Sequence, residues 1–234
     1  DEEESTLKTQ LLQSTPEVLT QLSFDSEKAK EILRGESFYD IDKLEWATNK
    51  LHQTMERISL GYYPAQICFP PIETDLAYKP FMSSEILEAL DDDQINVYRD
   101  VYRQLIAPIM KKEKPGMVGI SIVQQKQIIP TFTFSKMIKE EFPDVHISIG
   151  GNIVTRIRDE LKTQDKLFGY IDSAVLYEGE NAYLQLVDAV ENSKPLSGLP
   201  NLIYRDDSGI HSNKDVCSED LSKLPPPDFD GLAL

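Results

Sequence analysis

Basic charge is scarce in this chain. Only 24 lysines and arginines stand against 40 aspartates and glutamates, giving a formal net charge of −16. A nucleic-acid binder that tracks a backbone needs a basic surface, because neutralising phosphates supplies most of its affinity. The deficit argues against that role and against binding an anionic membrane, and an acidic surface mainly keeps a protein soluble. Long apolar runs are missing too. Nothing approaches the ~18 consecutive residues of a membrane span. The only cysteines, Cys68 and Cys217, are far apart and form no CxxC, which reads as two buried free thiols in a cytoplasmic protein. His52, His146 and His211 are scattered, with no HxxxH and no His/Cys cluster, so a self-contained metal site is not expected. Neither GxGxxG nor GxxxxGK[ST] occurs, which removes the usual nucleotide readings. The chain begins Asp1-Glu2-Glu3-Glu4, without methionine, basic region or apolar core. That is no secretory signal, and it reads as a cut inside a longer chain.

What is present suffices for a packed core. The 234 residues are 40% hydrophobic, enough for one large domain or one domain with a helical appendage. Residues 1–112 read mostly as helix. Leu7, Leu11, Leu12, Val18, Leu19 and Leu22 predict short amphipathic helices interrupted near Pro16. Asp25-Ser26 can cap a helix running to about Leu33, where Gly35 stops it. Asp40 can cap the next, to about Ser59, with Leu44, Ala47, Leu51, Met55 and Ile58 as one buried stripe. The segment from Gly61 to Pro80 is a proline-rich break with a β-like piece at Gln66–Phe69. Ser84 can cap a short helix through Leu90. Asp91-Asp92-Asp93 then opens a helix to Lys112, as caps and dipole partners rather than as metal ligands.

From Met117 the pattern changes. Met117–Val123, Val145–Ile149 and Ile171–Tyr177 are apolar, β-rich runs. Helical segments at about Pro130–Glu141 and Val154–Lys162 separate them, and Glu180–Glu191 follows the third. Strands alternating with helices predict parallel βαβ units. Asn201–Arg205 and Ile210–Ser212, split by Asp206-Asp207-Ser208-Gly209, predict a hairpin. The proline-rich 224–234 reads as an extended linker. The expected fold is α/β: a partial Rossmann- or flavodoxin-like parallel sheet, a helical N-terminal half and a C-terminal β-hairpin. The expected divisions are a mostly helical subdomain over residues 1–115, an α/β domain over 116–223 and a linker over 224–234. Were the strand at Met117–Val123 a sheet edge, Gln66–Phe69 could cover it.

Each strand runs into a short polar or glycine-bearing turn. In parallel α/β sheets ligands sit outside the carboxyl ends of the strands, so the three turns point to one site. The first carries Ser121, a hydroxyl able to donate or accept, then the neutral amides Gln124, Gln125 and Gln127. The second is Gly150-Gly151-Asn152, where bare backbone can approach a ligand. The third, Glu178-Gly179-Glu180, can cap a helix, and its acids disfavour a phosphate ligand. Taken singly, each turn reads first as structure, a capping loop or an ordinary tight strand-to-helix turn, and only together do the three point to a site.

The ordered set VGISxxxQ, ISIGGN, VLYEGEN, GLPNLIYR and LPPPDFDGL, spanning about Gly116 to Leu234, resembles the N-terminal cobalamin-binding region of B12-dependent radical SAM proteins. The resemblance implies a Rossmann-like sheet with cobalamin across its carboxyl ends. It implies Ser121 and Val123 beside the cofactor's dimethylbenzimidazole tail, and the loop Gln124 to Gln127 facing the corrin. Gly150, Gly151 and Asn152 would lie under the tail, and Glu178, Gly179 and Glu180 would close the site. In that family two further strands precede the position of Met117. The DxHxxG motif, which gives cobalt a histidine in other cobalamin proteins, does not occur here. CxxxCxxC is absent as well, so this chain cannot hold a 4Fe–4S cluster. The resemblance thus implies a fragment without turnover. Its partner would be a radical SAM domain carrying the cluster and S-adenosylmethionine, in a methyltransferase or a cyclase-type enzyme. The other reading is a flavodoxin-like protein-interaction scaffold that binds no cofactor.

Overall fold

The computed structural model describes residues 14–69, 73–216, 224–226 and 229–230. The chain divides into two compact units, residues 1–114 with 124–138, and residues 115–123 with 139–234. Among the described residues no helix is long and apolar enough to cross a membrane.

The first unit is helical. Helix α1 runs Pro16–Arg34, with Thr15 accepting from the Val18 N–H and proline in the first turn, where its missing donor costs nothing. Asp25 and Ser26 therefore do not start a helix. They sit in the middle of one, because no glycine or proline interrupts residues 17–34. Asp25 instead pairs with Lys50 at 2.9 Å, and the buried Ser26 hydroxyl donates to the Ser23 carbonyl at 2.8 Å. The expected helices around Leu7–Leu12 lie outside the described residues. Helix α2, Ile41–Gly61, starts on Asp40, whose carboxylate accepts from the Lys43 N–H. Ala47 and Leu51 bury against Ala29, flanked by Ile32, Leu33 and Trp46. The predicted stripe fades at Ile58, which is exposed.

Strands β1 (Gln66–Cys68) and β2 (Glu73–Asp75) form their own antiparallel ribbon, Ile67 opposite Thr74. The β-like piece expected at Gln66–Phe69 thus pairs with β2 and not with the strand at Met117. Pairing with a close neighbour in sequence costs less loop-closure entropy than a distant edge. Cys68 is exposed on this ribbon, contrary to the buried thiol expected, because its side chain sits on an outward position of the short strand. Cys217 lies outside the described residues.

Helix α3 is Ser83–Asp91, two residues earlier than a Ser84 cap would place it, and α4 is Val97–Val101. The chain then passes through a π-helical turn, Tyr102–Ile106, into α5, Ala107–Glu113. Pro108 has no backbone donor, and ahead of it the Ala107 N–H reaches back to the Tyr102 carbonyl, the wider π spacing. The aspartate run works as caps and ion pairs. Asp92 accepts from the Gln94 and Ile95 N–H groups, Asp93 takes Arg99 and Arg103, and Asp91 pairs with Lys136. The cap of α4 itself is Asn96, which is 1% exposed. Its oxygen accepts from the Tyr98 N–H, and its amide donates to the Ala89 carbonyl at 2.8 Å and to Thr133 Oγ1 at 2.9 Å.

The second unit carries a five-stranded sheet in the order β3 (Met117–Ser121), β4 (His146–Gly150), β5 (Ser173–Val175), β6 (Leu202–Asp206), β7 (Gly209–Ser212). The first three strands are parallel and the last two join antiparallel as the predicted hairpin. The protein is α/β as expected from the alternation of strand and helix patterns. The connection from β3 to β4 contains α6, Ile128–Glu141. That from β4 to β5 holds α7 (Asn152–Arg156) and α8 (Arg158–Leu161), which break at Ile157 where one helix was predicted. Helix α9, Glu180–Glu191, follows β5. Only Ser173–Val175 of the predicted Ile171–Tyr177 pairs as strand. On one side of it Asp172 turns its carboxylate to the Ile147 N–H at 2.6 Å and to Lys139 at 2.7 Å. On the other, Tyr177 takes a left-handed φ of 59°.

Alternation along the strands sorts the faces. One presents the apolar Ile147, Ile149, Ala174 and Ile203, all buried. The other presents Met117, Gly119 and Ser121 on β3, His146, Ser148 and Gly150 on β4, then Ser173 and Val175. Helix α9 covers this second face, burying Ala182 and Leu186 against Val175, Leu202 and Tyr204, with Met117 and Val190 at the margin. Val175, Leu186 and Leu202, fully buried there, each contribute roughly 1.5–3 kcal/mol. His146 sits at the amino end of this face, with Nε2 2.8 Å from Ser173 Oγ.

Two outcomes follow for stability. Asn96→Ala removes one hydrogen bond to the Ala89 carbonyl, one to the Thr133 hydroxyl and the cap of α4, so it should cost about 1–3 kcal/mol, read from the denaturant midpoint. Burial holds the His146 imidazole below its ordinary 6.5, with Lys139 adding to that and Asp172 opposing it. The unfolded chain then takes up the proton first. The stability tied to neutral His146 is present above pH 6.5 and falls as pH drops through the window below it. Thermal melts from pH 7.5 downward should show this decline, and His146→Asn should flatten it.

Candidate functional site

Parallel pairing in register brings the strand ends level. Ser121 lies opposite Gly150, Gly119 opposite Ser148, and Ser148 opposite Ser173. At their carboxyl ends opens a cleft of about 570 Å³, within the usual range for small-molecule sites. Its floor is the face under α9. There Val175 packs with Ala182 and Leu186 of α9, with Met117 at the margin, while Gly119, Ser121, Ser148 and Gly150 carry small side chains or none. Tyr177, Gly179, Glu180 and Tyr183 complete the rim.

Two glycines are required by geometry. Gly151 has φ 100°, and a Cβ there would lie 2.6 Å from the Ile122 carbonyl oxygen. The closeness is structural. The Ile122 N–H donates to the Gly150 carbonyl at 2.8 Å, and the Ile153 N–H to the Ile122 carbonyl at 3.2 Å, so the first two turns are tied together. At Gly119 a Cβ would come within 2.2 Å of the Tyr183 hydroxyl, so the phenol reaches the bare strand. Gly150 is different: a Cβ would sit 3.5 Å from the Val175 carbonyl, an ordinary contact, pointing into the cleft.

Five of the residues singled out from sequence line this one cleft: Ser121, Gly150, Gly151, Gly179 and Glu180. Five do not. Val123 is exposed beyond the end of β3, and Asn152 and Glu178 are exposed beside the second and third turns. Gln124 and Gln127 belong to the helical unit and cap each other: the Gln124 N–H donates to Gln127 Oε1 at 2.9 Å, and the Gln127 N–H is accepted by the Gln124 side chain. Sequence reasoning passed over Gly119, Ser148, Tyr177 and Tyr183. For Gly119 and Ser148 the signal was available, since a period of two places them on the face of Ser121 and Gly150. Tyr183 lies one helical turn beyond Glu180.

The lining is nearly neutral. Glu180 is the one charged side chain among the described lining residues, and no lysine, arginine or histidine joins it. Burial pushes the Tyr183 phenol up from its ordinary value, so it stays a neutral donor. Ser148 is 1% exposed, and its hydroxyl has no hydrogen-bond partner among the described residues. Such orphaned groups are rare in folded proteins. No cluster of three or more metal-ligating side chains occurs among the described residues. The cleft therefore suits a neutral, polar ligand that offers amides or ring nitrogens, and it disfavours a bare phosphate. Gly151→Ala tests the turn that shapes it. The φ and the close carbonyl should cost about 1–3 kcal/mol, seen as a lowered melting temperature, while Gly150→Ala should melt near the wild type.

No family model matches the chain. An uncharacterized methyltransferase from Pyrococcus horikoshii is 28% identical over 130 residues, covering 55% of this chain and 28% of the relative. The chain thus spans little more than a quarter of that relative's length. Among solved structures, the radical S-adenosylmethionine methyltransferase TsrM from Kitasatospora setae aligns at 18% identity with a TM-score of 0.40, over 68% of this chain and 29% of that one; that structure has cobalamin and a 4Fe–4S cluster bound. The same enzyme with tryptophan and an S-adenosylmethionine analogue bound aligns at 19% identity with a TM-score of 0.39, over 62% of this chain and 28% of that one.

Proposed function

We propose that the α/β unit binds cobalamin, as the cobalamin-holding region of a B12-dependent radical SAM enzyme of methyltransferase or cyclase type. One observation carries the reading: a cleft without basic side chains at the ends of three parallel strands, floored by Gly119, Ser121, Ser148 and Gly150, with a hydroxyl at its base that has no partner among the described residues. Cobalamin is bulky, rich in amides and bears a planar base. Hydroxyls and bare backbone suit it better than a basic cradle does. The name of the Pyrococcus horikoshii relative, a methyltransferase, agrees with the methyl-transfer form of the proposal.

Ser121, Gly150, Gly151, Gly179 and Glu180 would hold the cofactor at the cleft. Val123, Gln124, Gln127, Asn152 and Glu178 are assigned to it from the family pattern alone. Bound cobalamin would supply a cobalt-carried methyl group. The chain's residues would bind it, orient it and limit the water around it. With two cysteines and no CxxxCxxC, the chain leaves the 4Fe–4S cluster and S-adenosylmethionine to a radical SAM domain outside these 234 residues. Residues 116–223 would be the cofactor domain, 224–234 the linker, and the cytoplasm the compartment.

Titration with hydroxocobalamin, followed in the visible spectrum, tests the proposal. The wild-type protein should shift the corrin bands saturably. Gly150→Val projects two methyl groups into the cleft at a position with room for a Cβ, so it should fold yet bind about tenfold more weakly or worse. A folded wild-type protein that leaves the spectrum unchanged would favour the cofactor-free scaffold.

A further inference from the structure

We propose that the Tyr183 phenol is a displaceable plug in the cleft. It lies against the strand at Gly119 and screens Ser148 beside it, and a guest reaches that inner end only when the side chain turns outward. The proposal rests on the cobalamin reading for the identity of the guest.

Gly119 and Ser148 are directly paired on the face beneath α9. A Cβ on Gly119 would collide with the Tyr183 hydroxyl and come within 2.9 Å of its Cζ. The phenol thus takes up the room that the missing side chain leaves. Ser148 lines the cleft yet is 1% exposed. A lining hydroxyl is that deeply buried only under a cover, and Tyr183 is the aromatic side chain standing at its level. Nothing fastens the phenol in place. Its hydroxyl has no hydrogen-bond partner among the described residues, and burial alone pushes its pKa up. A tyrosine that serves packing alone usually bonds its hydroxyl when buried. The Ser148 hydroxyl, one strand away, is unpartnered among the described residues too, so the two do not bond each other. Tyr183 is 36% exposed at the rim, which leaves the ring space on its solvent side. The backbone is the fixed part: the Tyr183 N–H donates to the Gly179 carbonyl at 2.6 Å in the first turn of α9. Rotation between staggered side-chain wells therefore moves the phenol without moving the helix. Once it leaves, a guest that supplies an acceptor completes the buried Ser148 hydroxyl. A site open in only a fraction of the molecules binds with its affinity reduced by that fraction.

Titration with hydroxocobalamin, read in the visible spectrum, compares the wild-type protein with Tyr183→Ala. Alanine removes the plug and is the residue a helix accepts best. With an open state populated at ~10% or less, the variant should bind about tenfold more tightly or better. Should it fail to fold, Gly119→Ala takes its place. There the new Cβ meets the far end of a flexible side chain and wedges the phenol outward, so binding should tighten in the same direction. A folded variant that binds as tightly as the wild type, or more weakly, makes Tyr183 a fixed wall. That result overturns the plug and leaves the cobalamin reading standing. Where the folded wild type and the folded variant both leave the corrin bands unchanged, the cobalamin reading fails and the plug with it.

Discussion

The parallel pairing of β3 with β4 and of β4 with β5 is the constraint on which the rest depends. It aligns strand ends residue by residue, so that Ser121 meets Gly150 and Gly119 meets Ser148. Small side chains in adjacent strands would make no common surface if the register slipped by one residue, because their side chains would then point to opposite faces. In register they make a shallow hollow in a surface that α9 otherwise covers. Helix α9 is held by apolar anchors on either side, Met117 and Val175 with Leu202 and Tyr204. The cleft arises from both sides: small residues in register on the strands and the apolar packing of α9 beside them.

Local bonding then stiffens the mouth of that hollow. Ile122 sits between two backbone hydrogen bonds that join the first turn to the second, and Gly151 is the residue that lets the chains come this close. Backbone groups that would otherwise seek water are satisfied by one another, which leaves the side-chain hydroxyls to face a guest. The antiparallel hairpin contributes on the far side by giving β5 a second partner. Only three residues of β5 pair as strand, so without β6 the last parallel strand would be held on one edge alone.

The helical unit follows a different logic, in which polar residues end helices or tie them together. Asn96 is buried and fully engaged, and the neighbouring aspartates each have a cap or a cation. Three consecutive carboxylates could look like a cation site. Distribution among Lys136, two backbone N–H groups and two arginines gives each a partner without a metal.

Hydrophobic periodicity and turn chemistry by themselves determined the α/β class, the three parallel strands, the hairpin and the long helices from Asp40 and Glu180, because those signals are local and repeat over many residues. The same reasoning misplaced the start of the first helix. Asp25-Ser26 has the chemistry of a cap, but an uninterrupted run of helix formers and the pairing of Asp25 with Lys50 leave it inside. The turns were legible as neighbours, and half of the singled-out residues do line one cleft. Gln124 and Gln127 lay beyond such reasoning, since two neutral amides read the same whether they face a ligand or cap each other. Tertiary structure alone decided that Ser148 has no partner while Ser173 has one, and that Tyr183 lies over Gly119. Both facts arise from which side chains meet across strands and helix, a matter of register and packing distance that no single segment of sequence encodes.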